Sequence, residues 1–135
     1  PEEVEKLTSG RGVDVAVDVS GSPTGMQTGI DTLAFGGSLV AASWLGGRAA
    51  QLDLGHAFHR KRLRMRSSQV STIDPELAGR WDKPRLLALA LVLAERLRPG
   101  RYVTHSFALE DATRAFELLD SGADSVLQVL LRPAR

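Results

Sequence analysis

Three short segments of this chain place small, hydroxyl-bearing residues where a ligand could meet backbone. They are Val19-Ser20-Gly21 (continued by Ser22), Ala42-Ser43-Trp44 and Ser67-Ser68-Gln69. Each follows or closes an apolar run that reads as a strand. In a parallel sheet, ligands bind beyond the carboxyl ends of the strands, so three such ends side by side would aim amides and hydroxyls at one molecule. That is the chemistry of holding and orienting, not of proton transfer. Serines are plentiful, but G-x-S-x-G does not occur, and no nucleophile–base pair or spaced carboxylate pair stands out. No residue is assigned a catalytic role.

Other residues invite chemistry and do not complete it. The run "GRGVDV" begins a G-x-G-x-x-G pattern but carries Val15 where its last glycine should fall. It also precedes a strand, whereas a phosphate-gripping turn must follow one and open a helix. No isolated acid lies about 20 residues beyond such a turn to take a ribose. His56 and His59 are three apart and could share a helical turn, yet nothing near them supplies the third and fourth ligands a metal needs. His105, inside a strand pattern, reads as a packed or surface residue. No residue is assigned as a metal ligand. The basic run "RKRLRMR", Arg60 to Arg66, has five cations in seven residues. Arg62, Arg64 and Arg66 would fall on one face of a strand with Leu63 and Met65 on the other. That pattern suits a strand with one solvated face, and contact with a phosphate stays open beside it. The aromatic interleaving that single-strand binders use for stacking is missing.

The elements that must position these segments are readable from punctuation and period. "PEEVEKL" has acids in its first turn, suiting the positive end of a helix dipole, and "TSGRG" stops it. Val13 to Val19 is rich in Val with apolar residues at both parities, which predicts a strand covered on both faces. Pro23 to Leu33 is a helix with Pro near its start. Gly21, Gly25 and Gly29 recur every four residues, a spacing that lets a backbone lie close to a sheet. A glycine turn at Gly36-Gly37 precedes a strand from Ser38 to Ser43, and Leu63 to Val70 is a third strand. Connections too long for hairpins imply parallel pairing. After Val70, Pro84 to Leu97 is a helix, apolar nearly all round and so expected to be sandwiched between other elements. Arg101 to Phe107 and Ser125 to Leu131 are strands. Glu110 to Asp120 is a helix with an expected buried stripe of Ala112, Ala115, Phe116 and Leu119.

The fold class is therefore α/β. The chain has 135 residues, a net charge of +1 and no cysteine. It is long enough for a real core and has neither disulfides nor Cys-ligated zinc. Nothing in the balance marks a nucleic-acid or membrane protein. The longest apolar run, Leu86 to Ala94, is far short of the roughly 20 residues that span a bilayer. No signal peptide is visible, and a cytoplasmic location fits. Pro1 stands first where a Met would begin a whole chain, so a piece of a longer protein is expected.

The blocks "LTSGRGVDVAVDVSGSP", "LAFGGSLVAASWLGG", "LGHAFHRKRLRMRSSQV" and "VTHSFALEDATRAFELLDSG" together resemble the C-terminal half of the medium-chain, zinc-type alcohol dehydrogenases. The similarity runs nearly the whole chain and is least distinctive from Ser71 to Arg101. It implies half of a doubly wound, parallel, Rossmann-like sheet plus a C-terminal α+β segment. Residues 1–70 would be the second half of an NAD(P)-binding domain. Residues 71–135 would be a linker helix and a segment returning to the catalytic domain. The resemblance places the phosphate loop and the zinc ligands upstream of Pro1. Val19-Ser20-Gly21 would match the turn bordering the adenosine side of the cofactor. Ala42-Ser43-Trp44 would match the strand end beside the nicotinamide, and Ser67-Ser68-Gln69 the backbone at the carboxamide edge. Many members reach the pyrophosphate with a basic residue near the last strand, where this chain has Leu127 and Gln128.

The function implied by the resemblance is that of an NAD- or NADP-dependent oxidoreductase. It would move hydride between an alcohol or carbonyl substrate and nicotinamide, with zinc in the intact parent. Dimers through the sixth strand are implied too, although the arginines would crowd charge across a two-fold axis. These residues alone are expected to be inactive, because positioning can supply roughly 7–11 kcal/mol of a barrier. A zinc-free quinone or enoyl reductase of the same superfamily remains open. So does a non-catalytic binding or assembly module, although the apolar edge at Val13 to Val19 is poorly protected for a domain living alone.

Overall fold

The structure is a computed structural model that describes residues 1–47 and 49–134. It divides into two compact units, Pro1–Ile73 and Asp74–Arg135.

In the first unit, helix α1 (Glu2–Leu7) leads to strand β1 (Val13–Asp18), helix α2 (Pro23–Thr32), strand β2 (Leu33–Ala41), a π-helical turn (Leu54–Phe58) and strand β3 (Arg64–Ser67). The strands form one parallel sheet in the order β1-β2-β3. Helix α2 forms because Ser22 caps it, its hydroxyl accepting the Gly25 N–H at 3.0 Å, with Pro23 pre-set for the first turn. Its inner face carries Met26 and Ile30, which pack with Leu33, Leu39 and Leu63 into the core. Burying each such side chain contributes roughly 1.5–3 kcal/mol. The helix lies close to the sheet because two of its positions have no side chain. A Cβ on Gly29 would stand 2.6 Å from Leu39 Cδ1, and one on Gly25 would collide with the Ser20 hydroxyl.

Strand β2 begins five residues earlier than its sequence suggests. Val13 pairs with Leu33, and the next paired residue, Val15, faces Ser38. Phe35 to Gly37 thus bulge out of the ladder, and the Gly36 N–H bonds the Lys61 carbonyl at 2.7 Å instead. The glycine pair is an excursion within a strand, not a turn before one.

The expectation that β1 is covered on both faces is corrected. Ala16 packs on the core and Asp18 is buried, while Val15 and Val17 on the opposite face are 57% and 58% exposed. The register puts Val40 and Arg66 on that face beside Val17, and Ser38 and Arg64 beside Val15. Helix α2 covers only the other side. The predicted arginine face is also trimmed. Arg64 and Arg66 lie in β3, but Arg62 precedes it with φ of 53°. Leu63 is buried as expected, whereas Met65 is 40% exposed.

In the second unit, helix α3 (Lys83–Leu97) is followed by strand β4 (Val103–Ala108), helix α4 (Ala112–Asp120) and strand β5 (Gln128–Arg132). Strands β4 and β5 pair in parallel across α4, a β-α-β unit. Asp82 caps α3, accepting the Arg85 N–H at 2.8 Å. The expectation that α3 is sandwiched fails. None of its residues is buried, and Leu87 and Leu91 are 61% and 63% exposed. In α4 the inner stripe is rotated from the expected one. Ala115 is buried, Ala112 and Leu118 are half-buried, and Phe116 and Leu119 are exposed. Among the described residues, no helix is long and apolar enough to cross a membrane.

Candidate functional site

Parallel pairing brings the carboxyl ends of β1, β2 and β3 side by side. The ladder continues past the strands: the Asp18 carbonyl accepts the Ala42 and Ser43 N–H groups at 2.9 and 3.2 Å, and the Ala41 carbonyl accepts the Ser68 N–H at 2.8 Å. Beyond these ends a cavity of about 500 Å³ is lined by Ala41, Ala42, Ser43, Trp44, Ser67, Ser68, Gln69 and Val70. Two of the three segments singled out in the sequence, Ala42-Ser43-Trp44 and Ser67-Ser68-Gln69, are thus brought together on one hollow. The Trp44 ring stands out from it, 88% exposed.

Val19, Ser20 and Gly21 do not line that cavity; they form the loop beside it. Gly21 adopts φ of 64°, a left-handed conformation that glycine takes without steric cost. A Cβ there would lie 3.4 Å from the Trp44 carbonyl oxygen. The loop and the cavity wall are joined by the Ser43 hydroxyl, which accepts the Gly21 N–H at 2.9 Å.

The residue that organises this junction is Asp18, which in the sequence is only a charge breaking an apolar strand. It is 6% exposed. Its Oδ1 accepts the Ser20 N–H at 3.1 Å and the Ser20 hydroxyl at 2.6 Å, and its Oδ2 accepts the Ser43 hydroxyl at 2.8 Å. Burial pushes the carboxyl up, but the hydrogen bonds from the Ser20 and Ser43 side chains and the Ser20 amide outweigh it and hold it below the ordinary aspartate range. The signal that could have found it is an acid near the end of an apolar strand, two residues before Ser20-Gly21-Ser22. Its partner lies 25 residues away, which no local pattern displays.

The other candidates stay apart from this site. His56 Nδ1 lies 2.7 Å from Asp53 Oδ2 on the surface, and Asp53 Oδ1 caps the π-helical turn through the Gly55 and His56 N–H groups. Among the described residues no group of three or more His, Cys, Asp or Glu could hold a metal ion. His105 is half-buried in β4, its ring nitrogen 3.0 Å from the Thr104 hydroxyl.

Parallel strands ending at a common hollow, with a glycine loop and a helix beside the first, define an α/β sheet of the Rossmann-like type. Residues 1–84 match the family model for zinc-binding dehydrogenases, and the chain belongs to that family. It is 36% identical over 122 residues to L-threonine 3-dehydrogenase of Symbiobacterium thermophilum, covering 90% of this chain and 32% of that one. It is 28% identical over 130 residues to sorbitol dehydrogenase of Mus musculus, covering 96% and 32%. Among solved structures, zinc-dependent alcohol dehydrogenase 2 from Streptococcus pneumonia superimposes with a TM-score of 0.73 at 25% identity, over 99% of this chain and 35% of that one. The chain spans about a third of the length of these curated relatives.

Proposed function

We propose that the strand-end hollow is the nicotinamide side of an NAD(P) crevice in an oxidoreductase that moves hydride between an alcohol or carbonyl substrate and the cofactor. The observation that carries this reading is the cavity of about 500 Å³ formed where β2 and β3 end in parallel. Ligands occupy that place in open α/β sheets, and the size is that of a small-molecule site. The backbone of Ala42 to Trp44 and Ser67 to Gln69 would hold the nicotinamide end, and Val19 to Gly21 would border the adenosine side. The cofactor, when bound, supplies or accepts hydride. These residues supply position.

In this reading residues 1–70 serve as half of the nucleotide-binding domain, and residues 71–135 as a linker helix and a segment of the catalytic domain. The pyrophosphate turn, any zinc ligands and most of the substrate pocket belong to residues other than these. Strand β3 is an edge of the sheet, so its outer N–H and C=O groups are free to pair with a second copy across a two-fold axis.

The test is titration of the full-length protein with NADH and NADPH, followed by nicotinamide fluorescence. The wild type binds one of them, and Ala42→Trp, which fills the hollow, weakens that binding at least about ten-fold. Failure of the wild type to bind either, or an Ala42→Trp variant that binds normally, sinks the reading.

A further inference from the structure

The structure assigns Asp18 a task that strand formation does not require. We propose that Asp18 is a positioning residue that locks the Gly21 loop to the Ser43 wall, fixing the shape of the crevice before a dinucleotide arrives. This rests on the reading of the hollow as a nicotinamide cofactor site.

The geometry is specific. A carboxylate 6% exposed is costly unless every acceptor is used, and this one is surrounded by donors from two different segments. Oδ1 faces the loop, taking the Ser20 N–H and hydroxyl, while Oδ2 faces the wall, taking the Ser43 hydroxyl. Ser43, with its proton committed to Asp18, presents its lone pair to the Gly21 N–H. The chain Asp18–Ser43–Gly21 therefore sets the orientation of the Gly21 amide plane through a side chain that belongs to β1's own last residue. The Asp18 main chain adds the second clasp, its carbonyl taking the Ala42 and Ser43 N–H groups. Neither the sheet ladder nor the apolar core, which lies with Leu39 and Leu63, needs these side-chain bonds. They serve the loop that borders the cavity. Binding to a pre-set loop avoids the ordering cost that a mobile one imposes.

The test uses the full-length protein with Asp18→Ala, Asp18→Asn, Ser43→Ala and the Asp18→Ala/Ser43→Ala pair. Two readouts are taken well below the melting temperature: hydrogen–deuterium exchange at the Gly21 amide without cofactor, and the Kd for whichever of NADH or NADPH the wild type binds. Asp18→Ala and Ser43→Ala are expected to speed Gly21 exchange and to raise the Kd about ten-fold each. The pair should lose less than the sum of the two, since the Asp18–Ser43 link is shared by both single variants. Asn keeps the shape, accepting from Ser20 and donating to Ser43, whose oxygen still accepts from Gly21; Asp18→Asn should recover most of the affinity. A lowered melting temperature with an unchanged Kd, or additive losses in the pair, overturns the positioning role. So does Asp18→Asn binding as poorly as Asp18→Ala. Should Asp18→Ala fail to fold, the milder Ser43→Ala and the Asp18→Asn variant decide the matter alone. A wild type that binds neither dinucleotide overturns the cofactor reading itself, and this role with it, an outcome distinct from one in which the wild type binds and the variants do too.

Discussion

Ser43 and Asp18 stand 25 residues apart in the chain and 2.8 Å apart in space, hydroxyl to carboxylate, at the point where two parallel strands end. Because the same hydroxyl accepts from Gly21, removing it leaves a half-buried N–H and a buried carboxylate oxygen without partners. Ser43→Ala is expected to destabilise the first unit by about 1–2 kcal/mol in urea unfolding, and Ser43→Thr to recover much of that. Equal losses from both would mean that packing around the side chain, not its hydroxyl, matters.

The same carboxylate gives stability a dependence on pH. Its folded value is lowered, after burial is outweighed by the Ser20 and Ser43 hydrogen bonds. The ionised form is therefore the one that folding favours. The contribution is fully present above the unfolded aspartate value of about 3.9, and it disappears as pH falls through the lower folded value. The melting temperatures of wild type and Asp18→Asn should differ by a constant amount from neutral pH down to about pH 5 and converge below about pH 4. A gap that widens on acidification would contradict the assigned sign.

Gly29 is expected to resist the usual benefit of alanine in a helix. Alanine gains about 1 kcal/mol of helix propensity over glycine, but here its Cβ would meet Leu39 Cδ1 at 2.6 Å in the core. Overpacking costs about 1–3 kcal/mol, so Gly29→Ala should be destabilising by about 1 kcal/mol. On the exposed side of the same helix, Thr28→Ala should be neutral or slightly stabilising. Thermal melts of the two variants, compared side by side, check the close approach of α2 to the sheet.

At the end of α3, Arg98 caps the helix in a left-handed conformation, φ 49° and ψ 64°, a region that costs a side-chain-bearing residue roughly 1–2 kcal/mol. Arg98→Gly should therefore stabilise the second unit by about 0.5–1 kcal/mol, net of the entropy a glycine loses on folding. A lowered melting temperature would show instead that the arginine side chain makes up for its backbone.

Much of this fold is legible where punctuation is local. Ser22 and Pro23 announce α2, Gly25 and Gly29 announce its close approach to a sheet, and Ala42-Ser43-Trp44 with Ser67-Ser68-Gln69 mark strand ends that do meet on one hollow. What escapes the sequence is tertiary. An apolar pattern records that Val15, Val17 and the leucines of α3 suit burial, not what covers them, and in this chain those residues stay exposed. Phe116 and Leu119 fit a helical stripe by period, yet the packed face of α4 centres on Ala115. The Phe35–Gly37 bulge is hidden because glycines read equally as a turn. Asp18 is visible as an acid in an apolar run, but its burial depends on Ser43 arriving from another strand.

The order of the strands also distributes stiffness unevenly around the hollow. Strand β2 has neighbours on both sides and contributes Leu33 and Leu39 to the core, so the wall that continues from it at Ala42 should open only when the whole unit does. The facing wall continues from β3, four residues long and exposed throughout, which among the described residues pairs with β2 alone. For the cofactor proposed above, mutations from Ser67 to Val70 should alter how fast it leaves more than whether the protein folds.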